Sequence, residues 1–448
     1  MNRAPTMQRG DDAYRAFTAV LRAELVPAMG CTEPIAVAYA AALARDLAGG
    51  RPDRLRVEAS GSIIKNVKSV VVPHTGGLKG LEAAAAAGIL AGDPARELDL
   101  LAGAGPGTGA AVRDYLAAVP VEVAALDTPE VFDLQVTAFR GGATGRVRLT
   151  GGHTRVVLRE RDGRPVAPVP SVPVVPGVPV APGAPPPSSD RSWLSVPTIW
   201  DYVAVLDPDD VRGILDRQVR CNLAIAEEGL RGDWGACIGK VILANGRDGV
   251  RTRAKAWPAA GSDARMGGCE MPVVINSGSG NQGLTVSLPV IAYARELGTA
   301  PDDLLRALAL ANLVAIHLKD GIGCLSAFCG ATTAAAGAGA GIAYLLAHDY
   351  RTVVHAIVNT LAILPGMACD GAKPSCAAKI AEAVDAALLG VDMIRAGKQF
   401  HGGDGLVTKG VEATIRNIAR LGHDGMRETN GEIIRMMLAA SPSPPAAP

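Results

Sequence analysis

The chain has 448 residues, 44 basic against 44 acidic side chains, eight cysteines and 4% aromatic residues. That length supplies about two domains and a large core, while balanced charge with few rings lacks the basic footprint and stacking platforms of nucleic-acid binders. The first residues, MNRAPTMQRGDDAYRAF, contain no apolar run of a secretory signal, so the expected location is the cytoplasm, where cysteines stay reduced and a cysteine cluster points to metal binding or catalysis.

Residues 11–48 carry the pattern of two helices. The second is entered through Gly-Cys-Thr-Glu-Pro at 30–34, with Thr32 or Glu33 as the predicted N-cap and Pro34 in the first turn. Cys31 then sits at the positive end of the helix dipole, which favours a thiolate able to ligate a metal; a small buried hydrophobe is the alternative reading. RLRVEAS (54–60) and SVVVPHTG (69–76) are rich in β-branched residues and read as strands, LKGLEAAAAAGILAG (78–92) reads as helix, and further short strands follow between 119 and 163. Ten of the 31 prolines lie between Pro165 and Pro187, a composition expected to be an extended linker or insertion.

From residue 192 onward the segments are Ala- and Leu-rich and helical. SAFCGATTAAAGAGAGIAYLLA (326–347) is long enough for a membrane span but poor in Leu, Ile and Phe, so a buried helix is expected instead. The predicted fold class is α+β: a mainly helical C-terminal catalytic domain with buried Ala/Gly-rich helices, plus a smaller N-terminal α/β unit. The predicted division is 1–50 as N-terminal helices packing on the C-terminal domain, 51–162 as the α/β domain, 163–191 as the Pro-rich segment, 192–440 as the helical domain and 441–448 as a disordered tail.

Three cysteines, Cys31, Cys329 and Cys369, stand at helix breaks, with Cys324 and Cys376 nearby. The spacings C-x4-C and C-x6-C form no zinc finger, and no ferredoxin-like run occurs, so spacing alone leaves a metal site and buried structural thiols both open. SGSGNQG at 277–283 offers Gly-freed N–H groups, two hydroxyls and two amides, suited to a carboxylate, or else is an ordinary Ser/Gly loop. Lys65 and His74 could bind a carboxylate or move a proton, with Asn66 and Thr75 beside them. GAGPGTGAAV at 103–112 lacks the Lys-Ser/Thr of a phosphate loop and predicts no nucleotide site.

Six blocks in order, GCTEPIAVAYAAALA, SIIKN with VVVPHTGGLKG, SDARMGG, NSGSGNQG, LSAFCGATTAAAGAGAG and MACDGAKPSC, resemble the iron-sulfur L-cysteine desulfidase family, itself related to the α-chain of iron-sulfur L-serine dehydratases. The resemblance runs from about residue 15 to 437, apart from the Pro-rich segment. It implies a 4Fe-4S cluster held by Cys31, Cys329 and Cys369 with one iron open, and β-elimination on L-cysteine to hydrogen sulfide, pyruvate and ammonia without pyridoxal phosphate. L-serine dehydration and a non-catalytic sensor of the same fold are the alternatives. Ser277, Ser279 and Asn281, with Asn66 and Thr75, are the expected substrate contacts, and Lys65 and His74 the expected proton-transfer groups. The chain departs from the family pattern at Cys324, where an Arg is usual, and at His74, where a Gly is usual; Cys376 is a spare candidate ligand. Expected partners are a small amino acid and a second copy of the chain, with neither nucleic acid nor membrane.

Overall fold

The computed structural model describes residues 6–166, 191–323 and 325–439. Its helices are α1 (Asp12–Glu24), α2 (Thr32–Ala48), α3 (Gly61–Val67), α4 (Gly80–Ala91), α5 (Thr108–Ala118), α6 (Val196–Val205), α7 (Arg212–Arg231), α8 (Ile238–Asn245), α9 (Val250–Met266), α10 (Gly280–Leu297), α11 (Pro301–Ile322), α12 (Gly330–Ala347), α13 (Tyr350–Ile363), α14 (Cys376–Arg395), α15 (Val411–Arg420) and α16 (Arg427–Ala439). The strands are β1 (Pro27–Met29), β2 (Arg54–Ala59), β3 (Val121–Ala125), β4 (Asp133–Arg140), β5 (Ala143–Thr150), β6 (Val156–Arg161), β7 (Arg164–Pro165) and β8 (Pro272–Val274). The fold is α+β and mainly helical, as the sequence predicts. Most of the Pro-rich segment, the tail and Cys324 lie outside the described residues.

One sheet has the order β3-β2-β4-β5-β6-β7, with β2 and β3 parallel and the other neighbours antiparallel. Leu55, Val57 and Ala59 alternate along β2 and are fully buried, the period-two pattern of a half-buried strand. They join an apolar cluster with Ile35, Val37 and Leu47 of α2 and Ala84 and Ile89 of α4. The alanines of α2 let its neighbours come close: a Cβ at Gly88 would lie 2.0 Å from the Ala38 carbonyl oxygen, and one at Gly145 2.2 Å from that of Ala44. Both contacts require glycine at close packing density.

The second layer is helical and centred on α12, which packs against α10, α11, α13 and α14. Among the described residues α12 is the one helix long and apolar enough to cross a membrane, and 83% of it is buried within the protein. Its small residues serve close helix contact, since a Cβ at Gly337 would stand 2.4 Å from the Ala311 carbonyl oxygen.

Two expectations are corrected here. Residues 69–76 form no strand; Val71 makes an isolated bridge to Lys79, and the chain then turns with φ of 60° at His74, 66° at Gly76 and 96° at Gly77. Pro73 lacks the N–H a ladder needs, and the left-handed residues after it end any extended run. The first 50 residues do not pack as one unit on the helical domain either. Phe17 and Leu21 of α1 do join the helical core, with Phe17 stacked on Tyr202 at 4.9 Å between ring centroids, but α2 belongs to the sheet's core. The division falls there because α1 has one apolar face, whereas α2 is buried on nearly every side by the sheet and α4.

Between α1 and α2, β1 pairs antiparallel with β8, Pro27 opposite Val274 and Met29 opposite Pro272. This two-stranded ladder seats the segment leading into Gly-Cys-Thr-Glu-Pro beside the one leading into SGSGNQG.

Candidate active site

Cys31, Cys329, Cys369 and Cys376 line one cavity of about 120 Å³ at the meeting of the two units. Cys31 is itself the N-cap residue of α2, ahead of both predicted caps, Thr32 and Glu33. Cys329 is the N-cap residue of α12, and Cys376 is the first residue of α14. Cys369 lies on the loop before α14, and a bridge between Phe328 and Ala368 joins that loop to the mouth of α12. The Cys329 N–H donates to the Met367 carbonyl at 2.8 Å and the Cys369 N–H to the Ala327 carbonyl at 2.7 Å, so backbone pairing sets these two thiols side by side.

Ser277, Ser279 and Asn281 line the same cavity, brought there by the β1–β8 ladder and by the Thr32 hydroxyl, which donates to the Gly278 carbonyl at 2.9 Å. Ser279 is the N-cap residue of α10 and makes no side-chain cap. The starts of α2, α10, α12 and α14 therefore all face one small space, and each contributes the positive end of a helix dipole. The loop is held from behind: buried Asn276 donates to Asn312 Oδ1 at 3.0 Å, and Asn312 donates to Gln218 Oε1 at 2.8 Å. A satisfied buried network of this kind gives the loop one conformation.

Asn66 lines the cavity, whereas Lys65 stands behind it. The Lys65 ammonium is buried and donates to Asn430 Oδ1 at 2.7 Å and to the Cys369 carbonyl at 3.4 Å. Burial lowers its pKa from the ordinary value. His74 and Thr75 do not reach this cavity. The Thr75 hydroxyl is fully buried and donates to the Val72 carbonyl at 2.7 Å, while His74 pairs with Glu270 at 3.0 Å and lines a separate cavity of about 350 Å³ with Arg113 and Gly105. The turn that overturns the predicted strand carries both residues away from the thiols.

The thiols differ in electrostatic setting. Cys329 and Cys369 share a hydrogen bond: it and the Lys65 ammonium lower Cys369 against burial, while the same bond together with burial raises Cys329. Cys31 is raised, first by burial and then by the Glu33 carboxylate, to which its thiol donates at 2.9 Å. Burial also opposes ionisation of Glu33, but nearby His153 and the Cys31 thiol outweigh it and bring the carboxyl down to about 2. His153 Nε2 stands 3.7 Å from Glu33 Oε1, an ion-pair separation longer than a hydrogen bond.

Glu33, Arg265 and Lys319 line the cavity without being expected there from the sequence, together with Gln282 of the SGSGNQG loop and His153 of the GGHT turn. Glu33 and Arg265 sit inside quoted blocks, GCTEP and SDARMGG. His153 belongs to the turn between β5 and β6, where GGHT at 151–154 is a local signal similar in kind to that of Lys65 and His74, and weaker.

Four soft sulfur donors, those of Cys31, Cys329, Cys369 and Cys376, share a cavity faced by helix N-termini. Sulfur donors of this kind have the chemistry that would hold an iron-sulfur cluster.

Residues 202–435 match the family described as serine dehydratase alpha chain. Over nearly the whole chain the sequence is 48% identical to the UPF0597 protein of Desulfitobacterium hafniense, covering 96% of this chain and 98% of that one. It is 46% identical to a UPF0597 protein of Lachnoclostridium phytofermentans, covering 95% and 100%, and 43% identical to one of Treponema denticola, covering 95% and 98%. The chain belongs to the UPF0597 proteins and, through its helical domain, to the serine dehydratase alpha-chain family.

Proposed function

We propose that the protein is an iron-sulfur-dependent lyase that converts L-cysteine and water to pyruvate, ammonia and hydrogen sulfide in a reducing cytoplasm. The observation that carries this reading is the arrival of Cys31, Cys329 and Cys369, from positions up to 338 residues apart in the chain, at one cavity. When bound by these thiolates, the cluster would supply a Lewis-acidic iron with an open position for the substrate's β-substituent, for which a soft thiolate is well suited.

The chain's own residues supply the rest. The start of α10, with Ser279 and Asn281, presents N–H groups and polar side chains to the anionic end of an amino acid. Lys65 holds the Cys369 loop in place from behind. His153, lining the cavity with Glu33 as its neighbour, is placed to take or return the proton at the substrate's α-carbon.

L-serine is the second reading, favoured by the match of the helical domain to serine dehydratase alpha chains. Anaerobic reconstitution followed by assays with each amino acid separates them: the proposal expects sulfide and pyruvate in equal amounts from cysteine, at a higher kcat/KM than pyruvate from serine. Faster turnover of serine overturns the substrate choice, and turnover by colourless, iron-free protein overturns the cluster.

A further inference from the structure

Arg265 is a guanidinium 2% exposed, placed on the last turn of α9 at the wall of the cysteine cavity. A buried cation is costly unless it is paired. Among the described residues it forms no ion pair with a carboxylate. Among the described residues the guanidinium's one hydrogen bond is from Nη1 to Asn281 Oδ1 at 3.0 Å, and its buried Nε has no partner. The guanidinium lies against the first turn of α10 so closely that a Cβ at Gly280 would be 2.3 Å from Nε. Glycine at that position is what lets the side chain lie there.

The missing counter-charge and the helix start point to the same kind of ligand. The 18-residue helix α10 has Ser279 as its N-cap residue, with no side-chain cap, and Asn281, already bonded to Arg265, lies in its first turn. An anion seated there meets the positive helix end and the planar fork of the guanidinium together, the geometry that suits a carboxylate. We propose that Arg265, oriented by Asn281, is the anchor for the substrate's α-carboxylate, so that the site accepts free α-amino acids and rejects their amides. The assignment of the ligand as an amino acid rests on the lyase reading above. The anchor itself rests on the unpaired buried cation.

The test uses the cluster-bearing wild-type protein and two probes that cannot eliminate, L-alanine and L-alaninamide, which differ in the carboxylate. Calorimetry is expected to show L-alanine binding at least about 10-fold more tightly than L-alaninamide, the range of a lost charge-assisted hydrogen-bond pair. Equal binding of the two overturns the anchor without any variant being made. In Arg265→Gln, bound iron and sulfide are expected to stay at the wild-type level while the preference for L-alanine disappears and KM for the turned-over amino acid rises about 10- to 100-fold with a smaller change in kcat. Loss of iron with retained carboxylate preference would instead make Arg265 a balancing charge for the cluster and overturn the proposal. If neither cysteine nor serine is turned over, the lyase reading fails, and the two-probe comparison still decides the anchor.

Discussion

Lys65 reaches the carbonyl of Cys369 at 3.4 Å and Asn430 Oδ1 at 2.7 Å, tying the α/β unit, a thiol-bearing loop and the C-terminal helix α16 together at one ammonium. Beside it the backbone of Gly371, at φ of 90°, approaches so closely that a Cβ would be 2.2 Å from the Lys65 carbonyl oxygen. The Cys369 loop is thus shaped by the unit that carries α2 as much as by its own sequence.

Lys65→Met removes a buried donor and leaves Asn430 Oδ1 unpaired, at a cost of about 1–3 kcal/mol. The expected result is a lower thermal midpoint and faster loss of iron on dilution, with the shape of the activity–pH profile retained. A profile that loses one limb would mean that Lys65 handles the proton directly.

Gly371→Ala meets both a carbonyl oxygen and a left-handed backbone. Strain and overpacking together cost about 2–4 kcal/mol. The variant is expected to fold with the Cys369 loop displaced, seen as reduced iron per chain and a lower thermal midpoint than the wild type.

The cysteine variants separate ligands from bystanders. Cys31→Ala, Cys329→Ala and Cys369→Ala are each expected to lower iron and sulfide well below about four per chain, whereas Cys221→Ala and Cys237→Ala keep both. Cys376→Ala is expected to retain the cluster, because its thiol already donates to the Gly371 carbonyl at 3.5 Å and shapes the same loop. Iron retention in the Cys31 variant would remove α2 from the ligand set.

A pH effect is expected in the sheet, away from the thiols. Asp133 on β4 has a fully buried side chain held by Arg148 on β5 through two hydrogen bonds, 2.8 and 2.6 Å, and by the Thr128 hydroxyl at 2.8 Å. Burial pushes the carboxyl up, but these bonds prevail and hold it below its ordinary value of 3.8. A lowered carboxyl stabilises the fold above the unfolded value and loses that contribution as pH falls through the folded one. Arg148→Met leaves the carboxylate without its cation and is expected to cost about 1–3 kcal/mol at pH 7. The difference in thermal midpoint from wild type should shrink between pH 5 and about pH 3; a difference constant over that range would contradict the ion pair.

Periodicity and composition determined the elements themselves. The Ala/Gly run of α12, the alternation of β2 and the cysteines at the mouths of α2 and α12 are local features, and local physics is enough to read them. The SGSGNQG loop was legible for the same reason, since its polar density stands out just before an apolar helix. His74 and Thr75 were misplaced because their neighbours suggested a strand, while Pro73 and three left-handed residues make a turn that leads elsewhere.

Only tertiary packing decided which of these pieces meet. The β1–β8 ladder brings Cys31 to the start of α10, the Phe328–Ala368 bridge brings Cys369 to Cys329, and the β5–β6 turn brings His153 to Glu33. Arg265 acquires its meaning only as a buried cation beside a helix start, a relation created when α9 and α10 pack together. Residues far apart in the chain carry no local signal of their meeting; that juxtaposition belongs to the buried surfaces that close the two units on one cavity.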